Sequence, residues 1–169
     1  MKITRVVAYL IEEKVKSFTW QTGRPGSGDG HHPERAYNCV LRLVTDEGIE
    51  GYAHVSKGRI ALDLIKRRVG PELLGKDPLN TEFLWKRMWD IDRLEEFPLY
   101  FFFFADMALW DIKGKVANLP VYQLLGGYRD SIPAYASTTS YDTEKEYFSV
   151  IDASLEEGYT SIKLHLRFW

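Results

Sequence analysis

Cysteine is almost missing from this sequence. Cys39 stands alone among 169 residues, which excludes an internal disulfide and fits a reducing, cytoplasmic compartment. No charge sign dominates either: 22 Lys and Arg face 24 Asp and Glu, for a formal net charge of -2. Without a basic run, nucleic acid and anionic membrane surfaces are poor partners. The longest apolar run, FPLYFFFFADMALW, is too short to span a bilayer and is interrupted by Asp106. The opening MKITRVVAYLIEEKV mixes charged and apolar residues and lacks the unbroken apolar segment of a signal peptide. What remains is 45% hydrophobic and 27% charged, and rich in aromatics. That composition describes a soluble globular protein, long enough for one domain or for one domain and a piece of another.

The first half reads as antiparallel strands. KITRVVAYLIE and YNCVLRLVTDEGIEGYAHV are rich in β-branched and aromatic residues, and TDEG at 45–48 is a turn between two strand runs. Between them, WQTGRPGSGDGHHPERA at 20–36 has too many glycines, prolines and polar residues to pack as an element, and predicts a long surface loop. Helices are predicted over 59–69, 79–94 and 99–118. In the third, Phe101, Phe104, Ala105, Ala108, Ile112 and Val116 fall near helical spacing and form one buried face. Phe102 and Phe103 point elsewhere, so a second layer or a second subunit should cover this helix. Asp111 and Lys115 are placed to pair at i,i+4. PVYQLLGG is a short helical turn stopped by glycine.

From GGYRDS onward the pattern changes. IPAYAS reads as a short strand and DTEKEYFSVIDASLEEG as a helix, capped by Asp142 or Thr143 and stopped by Gly158. Its apolar stripe is Tyr147, Val150, Ile151 and Leu155. YTSIKLHL is a second strand. Strand, helix and strand with tight joins make a βαβ unit with parallel strands, and two such strands cannot cover their own faces or edges. The predicted division is therefore an α+β domain over 1–128 and, over 129–169, the opening of a parallel α/β domain.

Chemistry concentrates in the last strand. Ile162, Leu164 and Leu166 share one face, Lys163 and His165 the other. At the C-terminal end of a barrel strand such a pair would point into an active site. A lysine in a partly dry pocket beside a second cation titrates lower than in water, which suits it to take a proton from carbon. On spacing alone, a frayed strand with a solvated Lys and His is the alternative. Asp106 and Asp111, five residues apart on a helix, do not share a face and make no catalytic pair.

One segment is more specific than any of these. ADMALWDIKGKVANLPVYQLLGG, from Ala105 to Gly127, closely resembles the helix that joins the two domains in the mandelate racemase and muconate lactonizing branch of the enolase superfamily. MKITRV, the glycine-bearing stretch at 23–32, DEGIEGYAHV and RDSIPAYAS extend the likeness over nearly the whole chain, but only over the front portion of a family member. The resemblance implies an enolase-type N-terminal capping domain followed by the first βαβ unit of a truncated (β/α) barrel. It implies abstraction of the proton alpha to a carboxylate, with the enediolate stabilised on Mg2+.

The family's Lys-x-Lys pair maps onto Lys163-Leu164-His165, so Lys163 and His165 are the candidate catalytic residues. His165 replaces the second lysine, usually the base, and this departure points toward acid-sugar dehydration. The resemblance places Trp20, His31, His32, Tyr52 and His54 on loops that close over the substrate. His31 and His32 also read as a solvated pair, and no third ligand at metal spacing accompanies them. The family's metal carboxylates lie on later barrel strands, so the expectation is no catalytic Mg2+ bound to this chain and no turnover by it alone. An acid-sugar carboxylate as substrate and a homo-oligomeric assembly are implied for a complete member. The alternative is a non-catalytic capping-domain protein that acts only through self-association.

Overall fold

A computed structural model of the chain describes residues 1–14, 35–55, 58–96 and 102–166, with the side chains of 35 and 36 left aside. The chain divides into two compact units that part after Gly127. In the first, β1 (Ile3–Lys14), β2 (Arg35–Thr45) and β3 (Glu50–Val55) form an antiparallel sheet in the order β1-β2-β3. The predicted turn lies between β2 and β3, where Gly48 takes a φ of 78° and Thr45 exchanges hydrogen bonds with Ile49 through backbone and side chain. Alternation decides the faces. Cys39, Leu41, Leu43, Ala53 and Val55 are buried in the core, while Arg42, Tyr52 and His54 point the other way. Burial raises the Cys39 thiol above its ordinary pKa.

The predicted helix over 59–69 is α1 (Gly58–Leu64), a π-helical turn (Ile65–Val69) and α2 (Gly70–Leu73). Proline explains the break. Pro71 has no N–H to donate and would crowd the carbonyl four residues back, and a π turn relieves both problems. Gly70 donates its N–H to the Ile65 carbonyl, and a Cβ on Gly70 would lie 2.8 Å from that oxygen. The next helix, α3, spans Thr81–Glu95 and buries Leu84, Met88 and Ile91 on one stripe. No described helix is long and apolar enough to cross a membrane.

Helix α4 (Phe103–Ala117) lies against β3 and carries the signature segment. Its buried face is Ala105, Ala108, Leu109 and Ile112, with Phe102 buried just before it. Val116, predicted to share this face, is 41% exposed. The shift follows from how closely helix and strand approach. A Cβ on Gly51 would stand 2.1 Å from the Ala108 carbonyl oxygen and 2.7 Å from Ile112 Cγ1, so the contact centres on Ala108 and moves away from the helix end. Phe101 lies outside the described residues. After Asn118, in the left-handed region with φ 53°, the chain folds back and Leu119 N–H donates to the Gly114 carbonyl. A short helix, α5 (Val121–Leu124), follows Pro120.

The second unit holds β4 (Ala136–Ser137), α6 (Glu144–Glu156) and β5 (Ile162–Lys163), with β4 and β5 parallel. Thr143 is the cap: its hydroxyl accepts from Glu146 N–H while the Glu146 carboxylate accepts from Thr143 N–H. Gly158, with φ 91°, ends the helix as predicted. Of the predicted stripe, Tyr147, Val150 and Ile151 are half-buried. Leu155 is exposed, and Ser154 takes its place on the buried face. Both strands are shorter than predicted, two residues each against six and eight.

Candidate functional site

Two groups of candidate residues are described, one in each unit. On the outer face of the sheet, Tyr52 sits opposite Arg42, and His54 opposite Val40, in the row that carries Tyr9. Both side chains are exposed. Arg42 binds Glu50 through two guanidinium nitrogens and donates to Tyr9 OH at 3.1 Å, while Tyr52 OH donates to the same Glu50 carboxylate. Arg42 first, and then Tyr52, hold the Glu50 carboxyl down at about 2. The same bond to Glu50 raises the Tyr52 hydroxyl above its ordinary pKa, so it stays protonated and keeps donating.

Tyr52 is fixed from behind as well. β3 is an edge strand, and its outward backbone groups need partners. Asp111 of α4 accepts from Tyr52 N–H at 2.9 Å, and Lys115 donates to the Glu50 carbonyl at 2.7 Å. Lys115 and Asp111 also pair at 2.8 Å, the predicted i,i+4 contact, and the Lys115 ammonium lies 5.1 Å from the centre of the Tyr52 ring. Two signature-helix residues therefore act as a substitute strand and hold Tyr52 in register.

In the second unit, Lys163 ends β5 and His165 follows two residues later; both are exposed. His165 is held by its surroundings. Its backbone N–H donates to Thr138 Oγ1 at 3.1 Å, its ring Nδ1 lies 2.6 Å from the Thr138 carbonyl oxygen, and its own carbonyl accepts from Tyr147 OH at 2.6 Å. Thr138 N–H donates to the Lys163 carbonyl at 3.0 Å. Trp20, His31 and His32 lie outside the described residues. The structure thus pairs Tyr52 with His54 on one sheet face, and Lys163 with His165 at one strand end.

The architecture agrees with what comparison finds. Residues 31–126 match the family model for the mandelate racemase / muconate lactonizing enzyme N-terminal domain. The chain belongs to the mandelate racemase and muconate lactonizing branch of the enolase superfamily. Among curated relatives of this branch, a D-galactonate dehydratase family member from Pseudarthrobacter chlorophenolicus is 38% identical over 138 residues, covering 78% of this chain and 33% of its own length. Among solved structures, a member of the enolase superfamily from Polaromonas sp. JS666 aligns with a TM-score of 0.80 at 29% identity. That alignment covers 98% of this chain and 44% of that one. D-glucarate dehydratase from Agrobacterium tumefaciens, complexed with magnesium, aligns with a TM-score of 0.77 at 27% identity, over 99% of this chain and 45% of that one. The chain spans about a third of the length of the curated relatives it matches.

A family member of this branch raises the question of magnesium. Among the described residues, no group of three or more His, Cys, Asp or Glu side chains is placed to hold a metal ion. Those residues do not fit a Mg2+ site, and no chemical step is assigned through one. Sequence reasoning missed the residues that hold the candidates: Arg42 and Glu50 around Tyr52, and Thr138 and Tyr147 around His165. The only signal for Thr138 is a hydroxyl directly after a small-residue strand, and STTS offers four of those.

Proposed function

We propose that these residues form the N-terminal part of an acid-sugar dehydratase: a capping domain over 1–128 and the first strands of a barrel over 129–169. The observation that carries this reading is Lys163-Leu164-His165 at the C-terminal end of a parallel strand, in a chain of this family. The names of the relatives, D-galactonate and D-glucarate dehydratase, supply the substrate class. In such a reaction the proton on the carbon alpha to the carboxylate is removed. The neighbouring hydroxyl then leaves with a proton as water, and the resulting enol becomes a 2-keto-3-deoxy acid. His165 moves one of these protons, and Lys163 beside it is the second proton-handling group. Trp20, His31, His32, Tyr52 and His54 contact the substrate from the capping side. The reading includes a cytoplasmic location and self-association, the latter supported by exposed apolar side chains such as Leu94 and Phe83.

The test is a panel of sugar acids, galactonate and glucarate included, offered with Mg2+ to the protein that carries these residues at full family length. Keto-acid formation and deuterium exchange at the α-carbon are the readouts. His165→Ala should cost about 100-fold or more in rate, and near-normal turnover would remove His165 from the reaction. The 169-residue chain alone should show no stoichiometric Mg2+ binding by calorimetry; a tight, saturable isotherm would overturn that part.

A further inference from the structure

All three polar groups of one residue, Thr138, are committed to the Lys163–His165 pair. Its N–H donates to the Lys163 carbonyl at 3.0 Å, its Oγ1 accepts the His165 N–H at 3.1 Å, and its carbonyl oxygen meets His165 Nδ1 at 2.6 Å. Thr138 is 6% exposed, although it only follows a two-residue strand. A carbonyl oxygen can only accept, so the 2.6 Å contact requires the hydrogen to be on Nδ1. In the neutral ring this leaves the lone pair on Nε2, the nitrogen turned away from Thr138.

The backbone of His165 is pinned too. Tyr147 OH donates to the His165 carbonyl at 2.6 Å and accepts from Tyr141 N–H at 3.0 Å, and the two tyrosine rings meet edge to face at 5.0 Å. Where an ordinary parallel ladder would continue with backbone bonds, this one continues through the Thr138 hydroxyl. The strand pair is therefore locked at the point where the pair of candidate catalytic residues emerges.

We propose that Thr138 is a positioning residue that fixes His165 as the Nδ1–H tautomer and so presents Nε2 as the nitrogen that takes up or gives the proton. The role of that proton rests on the dehydratase reading, but the tautomer does not. Thr138 itself touches no reacting atom; it acts through His165.

The measurement is a long-range proton–nitrogen NMR correlation on the 15N-labelled 169-residue chain at about pH 9, above the ordinary imidazole pKa of about 6.5. The His165 signals are assigned by their loss in His165→Ala. The expected spectrum has a protonated Nδ1 and a bare Nε2, and a dominant Nε2–H form would overturn the inference. Thr138→Val keeps the side-chain shape and the carbonyl that meets Nδ1 but removes the acceptor for His165 N–H. With that anchor gone, His165 should drift from the carbonyl and the ring should move to a mixture of tautomers. Thr138→Ser keeps the hydroxyl and should restore the single form. An unchanged tautomer in Thr138→Val, with the chain folded by its methyl spectrum, would also overturn the positioning role. A chain with the Nδ1–H form whose full-length protein dehydrates no sugar acid upholds this inference and overturns only the dehydratase reading.

Discussion

The sheet unit closes on itself, whereas the strand–helix–strand unit does not. In the first, Leu41, Leu43, Val55, Leu109 and Ile112 are fully buried, and Asp111 and Lys115 satisfy the backbone of the β3 edge. Among the described residues, none of the buried apolar side chains belongs to 128–166; that unit buries Thr138 and Ser154 instead. Tyr128, Ile132, Phe148 and Leu155 stay exposed. The contrast follows from strand order. Three antiparallel strands with helices on one face can bury that face and leave the other to water, but two parallel strands and one helix leave faces and edges uncovered. Beside the half-buried stripe of Tyr147, Val150 and Ile151, the second unit is joined by polar bonds, and several of them fall on the candidate catalytic pair.

The sharpest way to break this contrast is to delete the same side chain in both units. Leu43→Ala, at a fully buried position in β2, should cost about 2–5 kcal/mol in urea unfolding. Leu155→Ala, at a residue 53% exposed, should change stability by less than about 0.5 kcal/mol. Equal losses would mean that the second unit carries a core of its own weight, and the comparison would fail.

A smaller effect tests the covered edge. Asp111→Ala removes the acceptor for Tyr52 N–H and the partner of Lys115. Because the bond is charge-assisted but partly exposed, the expected cost is about 1–2 kcal/mol. Hydrogen exchange at the Tyr52 amide should speed up while amides in the centre of β2 lose only the global difference. Unchanged protection at Tyr52 would remove Asp111 from its role as a substitute strand.

These residues also mark what the sequence makes legible. The turn at Gly48, the stop at Gly158 and the Asp111–Lys115 pair are local matters of φ preference and i,i+4 spacing, and the structure has all three. Likewise, the residue pattern announces the strands, and the signature helix announces the family. Spacing along α4 is periodic, but it cannot report that Gly51 lets β3 come close enough to shift the buried face onto Ala108 and Leu109. The π turn before Pro71 is hidden for a related reason, since the proline is visible but the way a helix yields to it depends on the neighbouring packing. The partners of the site are the least legible. Glu50 and Arg42 are eight residues apart in sequence, and Thr138 and His165 are 27 apart, and no short motif joins either pair.

In the second unit the cap is the most local support and should act locally. Thr143→Ala removes the hydroxyl that accepts the Glu146 N–H and leaves the backbone N–H that donates to the Glu146 carboxylate, for about 1 kcal/mol. Exchange should quicken in the first turn of α6 and leave the β2 amides unchanged. Equal quickening in β2 would show that the two regions do not respond separately.

The Glu50 network is complete at neutral pH and is read through its loss in acid. Glu50 titrates at about 2 in the folded chain against an ordinary 4.5, chiefly because of Arg42 and then Tyr52. A depressed folded value means that the unfolded chain takes up the proton first. The contribution to stability is therefore complete above about pH 4.5 and is lost as pH falls from there toward 2. Unfolding midpoints in urea, followed from pH 6 downward, should fall across that window, and Glu50→Gln should flatten the fall because it has no proton to gain. Glu146 in the second unit is also held low, by Thr143, so Glu146→Gln supplies the matched control. If the acid limb belongs to the sheet, Glu50→Gln flattens it and Glu146→Gln does not. A reversal of those two results would move the acid sensitivity to the strand–helix–strand unit, where Thr143 holds Glu146 low.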